Sequence, residues 1–524
     1  MQILTNEQSG KVTAGSQYSC WFAPRVPFDN YYPLEENIET DVVIVCAGIV
    51  GLSIAYCLSQ AGKKVIVIED GFIGSGETGR TTAQLVTALD QRYYEMEEIF
   101  GKESTKLIAE SHKEAIEFVK YTIAKENIDC DFQQMNGYLF AHPSDHKDSL
   151  KKEMEAALRA GIIAEKMNTT PGIPNEGASI CFGNQAQFHP LKYLNGLCIA
   201  IEKRGGKIFT QTHAKEIHSK GIDTSAGYTV KAQHIVVATN APVNDVYAMM
   251  LKQTAVRSYV IGALIKKDSL PKAMWWDTGD LSATAKPYHY IRIHSYNEAH
   301  DLLLCGGEDH PVGVPTDKDA YESLENWTRK RFGIGEIISK WSGQIMVSMD
   351  SVAFIGRNPW DEDNVYIVTG DSGIGMTYSA IAGVLVKDLI IGNVNKYEKI
   401  YSPSRFTLHS SGKFFKLLKD DFINLVKKWF YTGSQELSGI KNGDAAIVKL
   451  EGEKCGAYCD ENGILHIVSA ECTHLKCMVV WNKDERSWDC PCHGSRFTYT
   501  GKVINGPAIT DLPAYSHKIT LESQ

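Results

Sequence analysis

The chain has 524 residues, of which 43 % are hydrophobic, and its formal net charge is −9. This length predicts a globular protein of about three domain-sized units, and the acidic balance argues against a nucleic-acid partner. Four of the 13 cysteines lie in two short boxes and the other nine show no disulfide-framework spacing; the N-terminus also lacks the pattern of a secretory signal, so we expect a cytoplasmic protein. No apolar run is long enough to predict a membrane span.

Residues 1–37 are predicted to form an N-terminal arm, after which the sequence becomes strongly patterned. The pattern predicts a buried strand at 41–45, a helix at 52–61 and a second strand at 64–68. This order is the opening strand, helix and strand of a dinucleotide-binding fold.

The turn between the first strand and the helix carries the binding motif of that fold. The motif is G-x-G-x-x-G, and Gly48 and Gly51 are its second and third glycines, whereas Cys46 stands at the first. A side chain there is expected to cost about 1 to 3 kcal/mol of backbone strain and to weaken binding. The turn amides would cradle a pyrophosphate, and Glu69 would accept the ribose hydroxyls.

Three further segments carry small residues next to predicted strands. Residues 74–83 form a Gly/Ser/Thr-rich loop that is expected to feed a helix near phosphates, although a flexible turn is the alternative. Residues 232–241 predict an apolar strand that ends in a small-residue turn. Residues 365–377 predict a strand, a glycine turn and the start of a helix, whose N-terminus would stabilise negative charge.

The middle of the chain, 192–344, is expected to carry a substrate-facing sheet. Strands are predicted at 252–266, 288–294 and 302–306, interrupted by aromatic-rich loops such as Trp275-Trp276. Such aromatic residues suit either an amine pocket or a hydrophobic core, and we favour the core. His310 is a candidate base, for which a structural or surface role is the alternative that we prefer.

The character of the sequence changes near residue 401. Residues 401–435 are predicted to be a linker with an amphipathic helix at 413–430 that docks on a domain or, alternatively, binds a membrane surface. Residues 436–524 contain short strands and glycine turns, which predict a small antiparallel sandwich. This last segment carries the strongest motif of the chain.

Two short boxes supply metal-ligand residues, with Cys472 and His474 in the first and Cys490 and His493 in the second. Two thiolates and two imidazoles in this order are the ligand set of a Rieske [2Fe-2S] cluster. A structural zinc site is the alternative, since the same ligands satisfy tetrahedral zinc. The Gly494-Ser495 ending of the second box and the later Gly506-Pro507-Ala508 turn favour the cluster.

The boxes closely resemble the Rieske family, and residues 38–395 resemble the FAD-dependent oxidoreductases of the D-amino-acid oxidase superfamily, so that the domain is expected to span residues 38–400. The resemblance implies that Cys472 and Cys490 hold one iron, that His474 and His493 hold the other, and that Cys477 and Cys492 form a disulfide. It implies FAD as the cofactor rather than NAD, in contact with Gly48, Gly51, Glu69, Arg80, Thr81, Thr82, Ala214, Asn240, Gly370, Gly373 and Gly375.

The expected fold is therefore α/β with an all-β C-terminal domain: a Rossmann-like FAD-binding domain with an antiparallel substrate sheet, then a Rieske sandwich. Related amino-acid oxidases often clamp the substrate carboxylate with an arginine, but the matching position here is Ile345. No catalytic residue is assigned from the sequence.

The expected function is oxidation of a small amine or amino-acid-like substrate, with electrons passing from FAD to the cluster and on to an unidentified acceptor. The alternative is a non-catalytic electron-transfer or redox-sensing protein in which flavin is weakly bound or absent. A Rieske oxygenase is disfavoured, because the sequence shows no second iron motif of two histidines and a carboxylate.

Overall fold

The computed structural model describes residues 17–23, 28, 30–244, 249–281, 288–314, 319–406 and 437–515. The predicted helix at 413–430 and most of the N-terminal arm lie outside these ranges. In the described residues, the α-helices are α1 (Ile49–Gln60), α2 (Tyr93–Glu126), α3 (Ser149–Arg159), α4 (Pro190–Glu202), α5 (Ala320–Arg331), α6 (Gly375–Ile391) and α7 (Glu398–Tyr401).

The strands of the large domain form two sheets. They are β1 (Ile38–Val45), β2 (Val65–Ile68), β3 (Gln84–Leu85), β4 (Gln133–Phe140), β5 (Ala164–Met167), β6 (Ser179–Gln187), β7 (Lys207–Phe209), β8 (Ala214–His218), β9 (Gly221–Thr224), β10 (Thr229–Asn240), β11 (Gln253–Lys266), β12 (Ala273–Asp277), β13 (Tyr290–Ser295), β14 (His300–Pro311), β15 (Ile337–Ser348), β16 (Phe354–Arg357) and β17 (Val365–Thr369).

The first sheet has a parallel centre in the order β17-β10-β1-β2-β7, with β16 antiparallel at one edge. Its strands are runs of buried valine and isoleucine, as expected for a sheet covered on both faces. Helices α1 and α6 pack closely together at Gly383, where a Cβ would lie 3.0 Å from Ser53 O. This packing brings the first residues of both helices to the same end of the sheet.

The second sheet runs β15-β11-β14-β13-β12-β4-β6-β3 and is mostly antiparallel. It confirms the predicted strands of the middle region, but it begins at β3 and continues to Ser348, so the predicted range of 192–344 was too narrow. The Trp275-Trp276 pair lies within β12 and not in a loop, because β12 pairs with both β4 and β13.

The glycine-rich loop at 74–83 does not feed a helix. Only a short 3-10 helix, Glu77–Arg80, forms there, and the chain then enters β3. The loop thus passes between the two sheets, and α2 begins only at Tyr93.

The C-terminal segment forms two small antiparallel sheets around buried Trp488 and Phe497. Their strands are β18 (Ala445–Leu450), β19 (Glu453–Cys459), β20 (Leu465–Ser469), β21 (Val480–Asn482), β22 (Ser487–Asp489), β23 (Arg496–Thr498) and β24 (Val503–Asn505). The two cysteine-histidine boxes occupy the loops between β20 and β21 and between β22 and β23. Over the described ranges, no helix is long and apolar enough to cross a membrane; the cytoplasmic location stays a prediction.

Candidate flavin and cluster sites

A cavity of about 340 Å³ lies between the two sheets of the large domain. This is within the range of roughly 300 to 1,000 Å³ that is usual for ligand and cofactor pockets. Most of the predicted FAD contacts line it, namely Gly48, Glu69, Arg80, Thr81, Thr82, Ala214, Asn240, Gly373 and Gly375. Gly51 and Gly370 do not line the cavity but shape the two turns beside it.

The first turn is as tight as its sequence predicts. Cys46 has a φ of 95°, a conformation that favours glycine, so its side chain does introduce backbone strain. A Cβ on Gly51 would lie 2.0 Å from Cys46 O, which leaves room only for glycine. At the end of β2, the buried Glu69 accepts hydrogen bonds from the amides of Ala47 (2.7 Å) and Gly71 (2.9 Å) and still lines the cavity.

The second turn mirrors the first. Gly370 (φ 69°) and Gly373 (φ 88°) take left-handed conformations between β17 and α6, and a Cβ on Gly375 would lie 2.3 Å from Asp371 Oδ2. The N-termini of α1 and α6 therefore both border the cavity; neither N-cap residue makes a side-chain cap, and the first amide of α1, that of Ile49, donates to Thr78 Oγ1 (3.0 Å). Two helix N-termini that border one cavity suit a cofactor with a pyrophosphate and an electron-accepting ring, as FAD has.

Arg80 lines the cavity, but its guanidinium is engaged in holding the protein together. It donates hydrogen bonds to the carbonyl oxygens of Ser342 (2.7 Å) and Gln17 (2.6 Å). Burial lowers its pKa, while the carboxylate of Glu485 opposes that effect.

The end of the cavity near Gly373 is acidic and aromatic. Asp90 accepts a hydrogen bond from the hydroxyl of Tyr288 (2.7 Å), and a Cβ on Gly373 would lie 2.9 Å from Asp90 Oδ2. Burial raises the pKa of Asp90 to about 6. Ile345 lines the same region, and Trp276 and Tyr290 complete it.

His310 does not line the cavity. Its Nε2 lies 2.9 Å from the hydroxyl of Tyr259, and the two rings stack. This placement agrees with the structural role that the sequence favours for His310 over that of a base.

The two cysteine-histidine boxes meet at one tip of the C-terminal domain. The rings of His474 and His493 lie 5.1 Å apart, and burial lowers the pKa of His493 to about 4. A hydrogen bond from Cys490 lowers the pKa of Cys472 to about 6, whereas sharing that proton and burial raise the pKa of Cys490. The Cys477–Cys492 disulfide joins the two loops, as the family resemblance implies.

The donor set fits a Rieske cluster. Backbone amides of both loops and the hydroxyl of Ser495 point at the two thiols, which is the way protein environments hold cluster sulfurs. Within the described ranges, Nδ1 of His493 is buried without a hydrogen-bond partner, as expected of an atom reserved for a metal. A further group of close thiols, Cys477, Cys490 and Cys492, contains the disulfide pair and is not itself a ligand set.

The C-terminal domain forms part of the wall of the large cavity. Seven of its residues line it: Val503, Ile504, Asn505, Gly506, Ala508, Ile509 and Asp511. The Asn505 amide donates to Glu77 Oε1 (3.0 Å), and Gln344, which also lines the cavity, donates from Nε2 to Gly494 O (3.1 Å). The cluster loop and the cavity thus share one side chain.

A buried charge cluster fastens the two domains. Glu485 of the C-terminal domain lies 3.2 Å from Arg257 of β11 and 3.5 Å from Arg496 of β23, and the three side chains are fully buried. Ser342 donates a hydrogen bond to the same carboxylate. The neighbouring cations Arg257, Arg496 and Arg80 hold the pKa of Glu485 down to about 2, against the effect of burial.

Sequence reasoning missed this interface and the position of Asp90 in the cavity wall. The Gly506-Pro507-Ala508 turn indicated a Rieske domain but not a cavity wall. Glu485 lies in a polar run, 482–486, that resembles an exposed turn, so no local signal marks it.

The fold and both sites define a flavoprotein oxidoreductase that carries a Rieske centre. The family model of FAD dependent oxidoreductases matches residues 41–389, and the model of the Rieske [2Fe-2S] domain matches residues 429–516. The chain belongs to the FAD dependent oxidoreductase family and has a C-terminal Rieske domain. FAD and a [2Fe-2S] cluster are its cofactors.

Relatives share this organisation to different extents. A Bacillus subtilis protein described as a Rieske 2Fe-2S iron-sulfur protein, YhfW, is 34 % identical over 488 residues, covering 91 % of this chain and 94 % of that protein. Gamma-glutamylputrescine oxidoreductase of Escherichia coli is 26 % identical over 404 residues, covering 73 % of this chain and 90 % of the relative. The glycine oxidase of Geobacillus kaustophilus has the same fold, with a TM-score of 0.59 at 18 % identity. The match covers 71 % of this chain and 100 % of the glycine oxidase.

Proposed function

We propose that the chain oxidises a small amine or amino-acid-like substrate and passes the electrons from FAD to the Rieske cluster and on to a separate acceptor. FAD, when bound in the cavity, would supply a hydride acceptor for a carbon next to nitrogen, and the cluster held by Cys472, His474, Cys490 and His493 would supply a one-electron carrier. The observation that carries the proposal is the double contact of Gln344, which lines the cavity and donates to the carbonyl of Gly494, the residue after His493.

The acidic end of the cavity suits the preparation of an amine for oxidation. Loss of hydride requires a neutral nitrogen, whereas amines in water are mostly protonated. Asp90, whose Oδ2 accepts a hydrogen bond from Tyr288 and faces Gly373, would take the proton from a bound ammonium group. Trp276 and Tyr290 line the same space and limit the access of water.

The wall beside Gly373 favours an amine over an α-amino acid. Ile345 stands where related amino-acid oxidases often carry the arginine that clamps a carboxylate, and Asp90 beside it would repel one. The Escherichia coli relative is named for gamma-glutamylputrescine, which supports an amine as the reacting group. The FAD contacts and cluster ligands named above are proposed in the roles that the sequence predicts.

The test is anaerobic rapid mixing of the holoprotein with a panel of amines and amino acids. We expect loss of flavin absorbance followed by reduction of the cluster. In Gln344→Ala the second phase should slow at least tenfold while the first is unchanged. Gln84→Ala is the matched control. Gln84 also lines the cavity, but its side chain accepts a hydrogen bond from Trp276 Nε1 (3.0 Å), within the large domain, and not from the cluster loop.

Two outcomes separate the parts of the proposal. Flavin that is bleached by substrate while the cluster stays oxidised would refute the relay but leave an oxidase. A holoprotein that no amine or amino acid reduces would refute the oxidation itself and favour the non-catalytic electron-transfer role.

A further inference from the structure

A second, smaller cavity adjoins the acidic end of the first. Its volume is about 80 Å³, several times the roughly 10 to 15 Å³ that one water needs by the same measure. Asp90 and Tyr288 line both cavities and therefore stand at the junction between them. Among the described residues, four carboxylates and one arginine line the small cavity, namely Asp90, Glu95, Asp145, Glu153 and Arg92.

Glu153 of α3 is the carboxylate that has no side-chain hydrogen-bond partner in the described residues. It is 1 % exposed; the backbone amides of Tyr93 and Tyr94 at the start of α2 face its carboxylate and lower its pKa, but neither oxygen has a partner in full hydrogen-bond geometry. Burial raises its pKa to about 7. Because these two amides only partly offset the cost of burying a carboxylate, a cation in the cavity would stabilise the ionised form of Glu153.

The other charged groups of this cavity are already engaged. Ser149 Oγ donates to Asp145 Oδ2 (2.6 Å), and the backbone amide of Arg92 donates to Glu95 Oε2 (3.4 Å). The guanidinium of Arg92 donates to the carbonyl oxygens of Leu89 (3.2 Å) and Asp277 (3.3 Å). Its charge lowers the pKa of Glu153 at a distance but does not satisfy the carboxylate.

We propose that the small cavity is a subsite for a second, distal ammonium group of the substrate, which is then a diamine or longer polyamine. This inference rests on the proposed function, since the reacting nitrogen would occupy the main cavity. The distal ammonium would pass the junction at Asp90 and donate to Glu153. The apolar side chains of Leu139, Leu150 and Leu281 line the space that the connecting methylenes would fill.

The test compares straight-chain α,ω-diamines of three to six carbons with n-alkylamines of the same lengths, using the anaerobic holoprotein. The best diamine should have at least a tenfold higher kcat/KM than its matched monoamine. In Glu153→Gln, which keeps the shape and removes the charge, KM for that diamine should rise at least tenfold with kcat nearly unchanged. Values for the monoamine should not move. Glu155→Gln, on the exposed face of the same helix, is the control and should behave as wild type.

Binding measured without turnover keeps the inference separate from the proposed function. In calorimetric titration of the same holoproteins with the diamines, at least tenfold weaker binding to Glu153→Gln supports the subsite even where no amine is oxidised. Equal binding of diamines and monoamines to the wild type, or diamine binding that Glu153→Gln leaves unchanged, would overturn the subsite even where amines are oxidised.

Discussion

The domain interface can be probed at one carboxylate, Glu485. Its pKa falls from an ordinary value of 4.5 to about 2 in the folded protein. A shift of this size corresponds to about 3 kcal/mol of stability, and loss of one partner from a buried ion pair typically costs about 3 to 5 kcal/mol. Both routes predict that Glu485→Gln destabilises the docked protein by about 3 kcal/mol, because Arg257 and Arg496 stay buried without their counter-charge.

The assay is thermal unfolding at neutral pH, monitored by cluster absorbance and by flavin release. A loss of this size lowers the unfolding temperature by about 6 to 12 °C in a domain of roughly 150 to 250 residues. Since the folded pKa is depressed, the stabilising contribution is present above pH 4.5 and is lost as the pH falls through about 2. The difference between variant and wild type should therefore shrink in acid.

Glu461→Gln is the matched control. Glu461 lies in the same domain and pairs with Arg486 at 2.7 Å, but its side chain is 70 % exposed, so this change should cost about 0 to 1 kcal/mol. If Glu485→Gln unfolds at the same temperature as this control, the reasoning that the buried cluster fastens the two domains is wrong.

Three further changes test other parts of the structure. Cys46→Gly removes the side chain from a residue with a φ of 95° and should raise stability by about 1 kcal/mol after the backbone entropy of glycine is counted; an unchanged or lower unfolding temperature would contradict the strain. Replacing Cys477 and Cys492 by serine opens a loop of 15 residues and should cost about 3 kcal/mol, seen as faster loss of the cluster on heating, whereas an unchanged rate would show that the disulfide is dispensable. The pKa of Glu153 rises from 4.5 to about 7 on folding, so the free energy of unfolding should fall by up to about 3 kcal/mol as the pH rises through that interval. Glu153→Gln should lack this fall. Parallel pH profiles of variant and wild type would contradict the raised pKa of this buried carboxylate.

Local patterns were sufficient where a few neighbouring residues decide the structure. The first strand, turn and helix follow from an apolar run and two glycines, although α1 begins at Ile49 rather than at residue 52. Gly51 lies inside the helix and packs against the carbonyl of Cys46. This close approach allows the helix to begin directly after the turn. The cysteine-histidine boxes could also be identified from the sequence, because each loop fixes the spacing of its own ligands.

Contacts between distant segments could not be predicted from local sequence patterns. Trp275 and Trp276 look like loop residues until β4, more than 130 residues earlier in the chain, pairs with them. Glu153 lies among charged residues of an amphipathic helix, and only the packing of that helix shows which of its carboxylates is buried. Burial of this kind depends on tertiary structure, which a local sequence pattern does not encode.

The interface between the two domains also determines which properties each substitution should change. Residues 503–511 close the cavity from the C-terminal domain, and Gln344 joins the cavity to the cluster loop, so the flavin site and the proposed route of electrons to the cluster depend on the same docked arrangement. A change that separates the domains, such as Glu485→Gln, should impair flavin retention and cluster reduction together. A change confined to Gln344 should slow the transfer and leave the flavin in place. Loss of both functions in Gln344→Ala would mean that this side chain supports docking rather than electron transfer.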